Sequence, residues 1–382
     1  MLFYGRDKST AGPFPRLIDD FETRILDRWE SIGIYDAIGD LNGDGVDDLA
    51  FLSSPPYWAE QRQQIKILFG TTPDRPFPAL AQLDDLMRDF GGFRITSPGH
   101  GLAAFANPVS AGDFNGDGRS DIMFSRSVGS ELEAFVVFGR PESEPWPIEF
   151  DVVNAAPSEA VRLAGWVGTG TGRRGHGGVG DVNGDGVDDV AITKNRLCHV
   201  VFGRKDSFRD PFPSDINLEA LDGSSGVVLI GAYGRQAISF MHHQKLGDIN
   251  SDGADDLLFL DRIVFGRPHR DFPARINVAD LGDREKLLFA ADENMFLRAL
   301  GDVNRDGIGD FSMTGVNFGS TCAIAAIVYG RRPPPPCRAD LDRDGVATMF
   351  DCLAFNMAWQ DGDRVADLDQ DGFFTLHDYL LF

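Results

Sequence analysis

The sequence predicts an all-β fold built from repeats and followed by a small α-helical module, and three observations support this prediction. A nine-residue acidic loop is present five times, at 40–48, 113–121, 181–189, 248–256 and 302–310. Short apolar segments that end in Phe-Gly or Tyr-Gly recur every 63 to 69 residues. After Pro336 the acidic pattern lengthens from nine to twelve residues. A period this regular is typical of a repeat architecture, and the change in spacing indicates a second kind of module.

Each repeat contains short apolar segments separated by turn residues. One segment ends at the Phe-Gly or Tyr-Gly pair, at Gly5, Gly70, Gly139, Gly203, Gly266 and Gly330. Others leave the acidic loop, as in 189–193, or follow an Ile-Asn pair, as in 227–230. Short segments rich in Val, Ile and Phe and bounded by Gly, Asp and Pro predict β-strands. About four strands per repeat predict the blade of a β-propeller, because a radial array covers its own sheet edges.

The nine-residue loops carry the donor atoms that Ca²⁺ prefers. Asp, Asn, Asp and Asp stand at positions 1, 3, 5 and 9, and position 6 is Gly, which allows a sharp turn. The predicted side-chain ligands are Asp40, Asn42, Asp44, Asp48, Asp113, Asn115, Asp117, Asp121, Asp181, Asn183, Asp185, Asp189, Asp248, Asn250, Asp252, Asp256, Asp302, Asn304, Asp306 and Asp310. The backbone carbonyl at position 7 is predicted as a further ligand. The alternative is a set of Asx turns without an ion, and five copies in register favour the ion.

Composition supports the idea that the acidity serves as a supply of ligands. The chain has 382 residues and a net charge of −23, which argues against nucleic acid and anionic membranes as partners. Of its 59 acidic residues, 26 fall within the five nine-residue loops and the two twelve-residue loops. Seven bound Ca²⁺ would leave a net charge of about −9, which is ordinary for a soluble protein. No apolar run approaches the length of a membrane span.

The repeats resemble a known family. Gly180-Asp-Val-Asn-Gly-Asp-Gly-Val-Asp-Asp-Val190 followed by Val200-Val-Phe-Gly203 is similar to the FG-GAP repeats of calcium-loop propellers, which also occur in the heads of integrin α-subunits. The resemblance covers roughly 1–332 and implies a calcium-loop propeller, for which the five complete acidic loops predict five complete blades plus an N-terminal partial repeat. The Gly-Ala-Pro part of the family motif is degenerate here, with Ser53-Ser-Pro55 in the first repeat and Thr193-Lys-Asn195 in the third.

The C-terminal part of the chain predicts a different calcium module. Residues 333–336 predict a short polyproline linker. Beyond it, at 337–382, two twelve-residue loops have oxygen ligands at the positions of an EF-hand loop, and an apolar helical pattern follows each loop. The predicted ligands are Asp340, Asp342, Asp344, Asp351, Asp367, Asp369, Asp371 and Asp378. We therefore expect two Ca²⁺ in this module and about five in the propeller.

Paired loops that end in Asp instead of Glu resemble a dockerin domain, which implies a cohesin-like partner. The family docks through residues near loop positions 10 and 11, here Met349-Phe350 and Leu376-His377. These pairs are bulky and unequal, unlike the small hydroxyl pairs of many dockerins.

The N-terminus and the type of calcium site predict different locations. Residues 1–6 lack the pattern of a signal peptide, which taken alone predicts the cytosol. However, 2–5 matches the end of a repeat whose beginning is missing. Either this strand joins the last blade and closes it, or the N-terminus is truncated or mis-started, which is what we expect. Weak extracellular-type sites fill at millimolar Ca²⁺ and stay mostly empty in the cytosol. We therefore predict an extracellular or cell-surface protein.

Other motifs give no support for catalysis. Gly170–Gly175 matches G-x-G-x-x-G, but no helical pattern follows it, which favours a surface loop over a nucleotide site. The seven histidines, including His242-His243, have no metal-ligand spacing. The sequence contains no Gly-x-Ser-x-Gly elbow, no His-Glu-x-x-His and no P-loop lysine. We predict that the chain is not an enzyme and binds no cofactor other than Ca²⁺.

Two further groups of residues leave alternatives open. Tyr57-Trp58 and Trp146 either form a binding face for protein or carbohydrate or are buried between blades. The four cysteines include Cys337 and Cys352, which either form a disulfide or remain buried thiols.

These features together predict a non-catalytic, calcium-binding adhesion or ligand-binding module. A protein or carbohydrate ligand is expected at a propeller face, and the dockerin-like tail is expected to attach or assemble the protein. The alternative is a secreted polysaccharide-degrading enzyme or a fragment of one, because similar propellers and dockerin-like tails accompany such enzymes. The sequence predicts no nucleic-acid partner and no membrane span.

Overall fold

The computed structural model describes fourteen stretches of the chain. They are 24–26, 31–54, 63–97, 104–128, 131–165, 174–194, 196–205, 211–231, 245–259, 262–268, 272–282, 285–288, 295–316 and 323–330. The chain divides into two compact units, Met1–Tyr329 and Gly330–Phe382. The predicted EF-hand loops, the dockerin-like helices, Tyr57-Trp58, His242-His243 and three of the four cysteines lie outside the described residues.

The described residues are mostly β-strand, which confirms the predicted all-β class. The strands are β1 (Arg24–Leu26), β2 (Ser31–Gly39), β3 (Asp48–Ser54), β4 (Gln64–Leu68), β5 (Leu80–Gln82), β6 (Gly92–Thr96), β7 (Ala104–Gly112), β8 (Asp121–Val128), β9 (Glu131–Val137), β10 (Glu149–Asp151), β11 (Ala160–Ala164), β12 (Arg174–Gly180), β13 (Asp189–Lys194), β14 (Leu197–Val201), β15 (Asp215–Asn217), β16 (Gly226–Ile230), β17 (Leu257–Phe259), β18 (Arg262–Val264), β19 (Arg275–Asn277), β20 (Lys286–Leu288), β21 (Met295–Gly301), β22 (Asp310–Val316) and β23 (Ala323–Val328). A short 3-10 turn lies at Leu218–Ala220.

The strands form small sheets, one after another along the chain. Three sheets have five strands, in the orders β10-β6-β4-β3-β2, β15-β11-β9-β8-β7 and β12-β13-β14-β16-β19. They are followed by the three-stranded sheets β17-β18-β20 and β21-β22-β23, and β1 pairs with β5. Within each five-stranded sheet, four strands of one repeat are antiparallel. This is the strand count per repeat that the sequence predicts.

The fifth strand of each large sheet comes from the next repeat. β10 pairs in parallel with β6, β15 with β11, and β19 with β16. Two of these strands, β15 and β19, contain the Ile-Asn pair noted in the sequence. Each repeat therefore covers the outer edge of the preceding sheet, which protects an edge that would otherwise have unpaired backbone groups.

Apolar cores lie between consecutive sheets. One cluster joins Phe124 and Val137 of the second large sheet to Ile65 and Ile95 of the first. Similar clusters join the second sheet to the third, the third to β17-β18-β20, and that sheet to β22. Because each of the three inner sheets contributes buried side chains to both neighbours, contacts between adjacent repeats stabilise the array.

One α-helix, α1 (Leu83–Phe90), adds to the first repeat and was not predicted from the sequence. It buries Leu83, Leu86 and Met87 against the outer part of the first sheet. It ends at Gly91, whose φ of +102° is unfavourable for other residues. No helix in the described part of the chain has the length and apolar character that crossing a membrane requires.

Candidate metal centre

The acidic loops lie between the first two strands of a sheet, as in β2–β3, β7–β8, β12–β13 and β21–β22, and the fourth loop leads into β17. In the first loop, Asp40 Oδ1 accepts the Asp44 N–H (3.0 Å) and its Oδ2 accepts the Gly45 N–H (2.8 Å). Asn42 Oδ1 accepts the Asp44 N–H (2.9 Å), and Asp44 Oδ1 accepts the Val46 N–H (2.8 Å). These bonds fold the loop so that positions 1, 3 and 5 are fixed by its own backbone.

The other four loops repeat this geometry at the same positions. The position 1 carboxylate accepts the N–H groups of positions 5 and 6 in every loop, at 2.7 to 3.1 Å. The glycine at position 6 has φ between +83° and +95° throughout, which confirms the predicted sharp turn. The predicted ligands at positions 1, 3 and 5 are therefore brought together within each of the five loops.

The aspartate at position 9 differs from the other three because it is fully buried in all five loops. Asp48 Oδ2 accepts the Leu41 N–H (2.9 Å) and its Oδ1 accepts the N–H of Gly70, the glycine of Phe-Gly (2.8 Å). The same pair of bonds holds Asp121, Asp189 and Asp256. Position 9 thus ties the loop to the strand that ends in Phe-Gly, in addition to its predicted role as a ligand.

Burial makes the position 9 carboxyls poor acids. Burial raises the pKa of Asp48 to about 7 and that of Asp256 to about 8. It also raises the pKa of Asp121 and Asp189 well above the usual range. The bonds from backbone N–H groups lower these pKa values, while the carboxylates at positions 1 and 5 raise them further. A cation within the loop would have the opposite effect and favour the ionised form.

The structure explains why glycine follows the aromatic residue in Phe-Gly. A Cβ atom on Gly203 would lie 2.1 Å from the Asp188 carbonyl oxygen, which no side chain permits. Gly70, Gly139 and Gly266 show equivalent approaches of 2.3 to 2.6 Å to the carbonyl at loop position 8. Glycine is therefore required because the end of the strand that carries Phe-Gly lies in close contact with the acidic loop.

Consecutive loops are joined by backbone hydrogen bonds. The N–H at position 8 donates to the carbonyl at position 1 of the preceding loop. These bonds are Ser120 to Asp40 (3.0 Å), Asp188 to Asp113 (3.2 Å), Asp255 to Asp181 (2.7 Å) and Gly309 to Asp248 (3.2 Å). The five loops thus form one continuous row, although each lies in a different sheet.

An arginine after Phe-Gly adds a second connection that sequence reasoning missed. The N–H groups of Arg140, Arg204 and Arg267 donate to the position 2 carbonyl of the preceding loop, at 2.9 to 3.1 Å. Each guanidinium also lies over an aromatic ring, at 4.2 Å from Trp146 for Arg140. The recurring tripeptide Phe-Gly-Arg was a signal that could have identified this role.

The same contacts decide between the alternatives for Trp146. Its ring is stacked on Phe93, with centroids 4.0 Å apart and an interplanar angle of 4°. Arg140 lies over the ring as well. Because these side chains pack against the indole ring, the structure supports packing between repeats for Trp146. Trp146 also lines a cavity of about 550 Å³ with Asn42 and Asp44 of the first loop.

The donor set of the loops fits Ca²⁺, with three carboxylates and one amide oxygen per loop on a fixed turn. Within the described stretches, no three or more His, Cys, Asp or Glu side chains are grouped so that they could hold a metal ion. Of the G-x-G-x-x-G match, Arg174 and Gly175 lie in β12, and the rest is outside the described residues. Cys198 is a buried free thiol.

No protein-family model and no curated protein matches the chain. The interpretation of the acidic loops therefore depends on their residues and their geometry.

Proposed function

We propose that the five acidic loops bind Ca²⁺ and that the chain is a non-catalytic, extracellular binding module. The observation that supports this most strongly is the fivefold repetition of one loop geometry, with Asp, Asn and Asp at positions 1, 3 and 5 fixed by backbone hydrogen bonds. Asx turns that served only to reverse the chain would not need a second and third carboxylate in each loop. The proposal extends to the two twelve-residue loops of the C-terminal module.

Within each loop the residues have distinct roles. Positions 1, 3 and 5 and the carbonyl of position 7 would hold the ion, which supplies positive charge between carboxylates that otherwise repel each other. The buried aspartate at position 9 remains a proposed ligand, and through its two backbone bonds it also orients the loop against the Phe-Gly strand. Ion binding would therefore stabilise the contact between the loop and three strands of the sheet.

We further propose that the sheets are blades of an FG-GAP-type β-propeller. Their serial packing, the strand exchanged between neighbours and the position of the loops between the first two strands all support this arrangement. The resemblance noted in the sequence implies a face that binds a protein or carbohydrate ligand. A dockerin-like tail would then attach the module to a cohesin-like partner.

Calorimetry tests the calcium proposal directly. We expect the full chain to melt at a higher temperature in 2 mM Ca²⁺ than in EDTA, by about 5 °C or more, because an ion that binds only the folded state stabilises it by mass action. Asp117→Asn removes one predicted ligand carboxylate and should reduce the number of bound ions. Asp280→Asn, which makes the same charge change at an exposed position outside the loops, is the matched control.

Two results would contradict the proposal. One is an identical melting temperature with Ca²⁺ and with EDTA. The other is an equal loss of bound ions in Asp117→Asn and Asp280→Asn, measured by equilibrium dialysis. Turnover of a panel of acidic polysaccharides would instead favour the enzyme alternative, and the same preparation serves for that assay.

A further inference from the structure

We infer that Asp188 and Asp255 are positioning residues that couple ion binding in the second, third and fourth loops. The inference depends on the proposed function, because it concerns how one calcium loop influences the next. The inference rests on hydrogen bonds between neighbouring loops, which the sequence motif of a single loop does not predict.

Each of these aspartates stands at position 8 of its loop and reaches the start of the preceding loop. The Asp113 N–H donates to Asp188 Oδ2 (2.9 Å), and the Asp181 N–H donates to Asp255 Oδ2 (2.9 Å). Asp113 and Asp181 are the position 1 ligands of the second and third loops. The residue that begins one ion site is therefore held by a side chain of the following loop.

Each carboxylate lies against the glycine that directly precedes the preceding loop. A Cβ atom on Gly112, the residue before Asp113, would lie 2.3 Å from Asp188 Oδ2. A Cβ atom on Gly180 would lie 2.0 Å from Asp255 Oδ2. At both junctions the carboxylate thus occupies the space that a side chain at the glycine position would fill.

Lys245 joins the two positioning residues to each other. Its Nζ lies 3.0 Å from Asp188 Oδ1 and 3.0 Å from Asp255 Oδ2. A single ammonium group therefore bridges the third and fourth loops. It also reduces the repulsion between two carboxylates that would otherwise face each other across the junction.

The first and last junctions lack this connection. Position 8 is Ser120 in the second loop and Gly309 in the fifth, so neither offers a carboxylate to the preceding loop. At these junctions the position 8 N–H still donates to the position 1 carbonyl. Loops two, three and four therefore have both backbone and side-chain connections, and loops one and five have fewer.

Coupling follows because an ion restricts the atoms that carry these bonds. An ion in the second loop fixes Asp113, and its N–H then holds Asp188, which directly precedes Asp189 of the third site. Part of the ordering that the third loop needs is then already complete when its ion arrives. A second ligand that meets an ordered site binds more tightly, which is positive cooperativity.

A calcium titration of the full chain, stripped with chelator, tests the coupling. We expect a Hill coefficient above 1 for the natural sequence. Asp188→Ala should lower it and weaken binding in the middle loops by about fivefold or more, while the number of ions at saturation stays the same. Asp188→Asn keeps an oxygen that accepts the Asp113 N–H, so its Hill coefficient should lie closer to that of the natural sequence.

Asp47→Ala is the matched control. Asp47 has the same loop position in the first loop and is exposed, and no acidic loop precedes it among the described residues. Its Hill coefficient should equal that of the natural sequence. If Asp188→Ala fails to fold, Lys245→Met is the second variant, because it removes only the ammonium bridge and is expected to lower the Hill coefficient.

The outcomes separate the two proposals. Absence of calcium binding by the natural chain overturns the proposed function and this inference together. Calcium binding with equal Hill coefficients in Asp188→Ala and Asp47→Ala overturns the coupling alone. If Asp188→Ala fails to fold and only Lys245→Met can be measured, a Hill coefficient equal to that of the natural chain also overturns the coupling.

Discussion

A single buried carboxylate connects the acidic loop to its sheet. Asp48, Asp121, Asp189 and Asp256 have no exposed surface, and both oxygens of each accept backbone N–H groups. Burial raises the pKa of these carboxyls, so the ion-free protein holds protons that the unfolded chain has already lost. The position 9 residues therefore link calcium binding to pH.

The sign of this linkage gives a prediction. An ordinary aspartate titrates near 3.8, whereas Asp48 and Asp256 have pKa values of about 7 and about 8. Their contribution to the stability of the ion-free protein is complete below pH 4 and is lost as the pH rises through 7 to 8. Protons also compete with Ca²⁺ for the same oxygens. The difference in melting temperature between Ca²⁺ and EDTA should therefore increase from pH 5.5 to pH 8.

In Asp280→Asn the melting-temperature difference between Ca²⁺ and EDTA should change with pH as it does in the natural chain, since Asp280 is exposed and remote from the loops in sequence. A difference in melting temperature that stays constant over this pH range would contradict the role assigned to the buried carboxyls.

At the level of elements, the strand that each repeat adds to the preceding sheet determines how the two repeats join. β10 pairs with the edge of the first sheet, and its central residue, Phe150, enters the core between the first two sheets. Phe150 also makes edge-on contacts with Phe93 and Trp146. Phe150 is the one buried side chain of this three-residue strand, so we expect it to anchor β10.

Phe150→Ala should lower the free energy of unfolding by about 3 to 5 kcal/mol, because it removes a large side chain that is only 4% exposed. Ile148→Ala, two residues earlier, should change it by less than about 0.5 kcal/mol, because Ile148 is 76% exposed. Urea unfolding at saturating Ca²⁺ measures both. Equal losses in the two variants would mean that β10 is not docked on the preceding sheet.

For the molecule as a whole, each repeat completes the packing of the repeat before it. The residue at loop position 2 is buried in the first four loops, as in Phe114 and Val182. In the fifth loop the corresponding Val303 is 49% exposed. No further acidic-loop repeat follows it within the described part of the chain. Burial at this position therefore depends on the neighbour and not on the motif.

The two valines allow the same substitution to be compared at one loop position. Val182→Ala should reduce the free energy of unfolding by about 2 kcal/mol, since Val182 is 4% exposed and packs in the core between the third and fourth repeats. Val303→Ala should cost less than about 0.5 kcal/mol. Urea unfolding with Ca²⁺ present is the measurement, and a larger loss for Val303→Ala would contradict serial packing of the repeats.

Much of the fold could be predicted because its signals are local. The glycine and aspartate spacing identifies the turns, and the apolar segments between them identify the strands. The helix α1 was missed because only eight residues carry its pattern within a chain dominated by strand signals. The anchoring role of position 9 was missed because its partner, the glycine of Phe-Gly, lies 10 to 22 residues away in sequence.

The sequence by itself determined the repeat period, the all-β class and the oxygen donors of each loop, since the acidic loop and the apolar segments are short local patterns that recur along the chain. Only the tertiary structure decided which strand completes which sheet, which aspartates are buried and which loops are joined by side chains. Asp113 and Asp188 are 75 residues apart, and their contact exists only because two sheets pack together. The acidic loop is thus a local motif, and its connection to the next loop is a property of the assembled repeats.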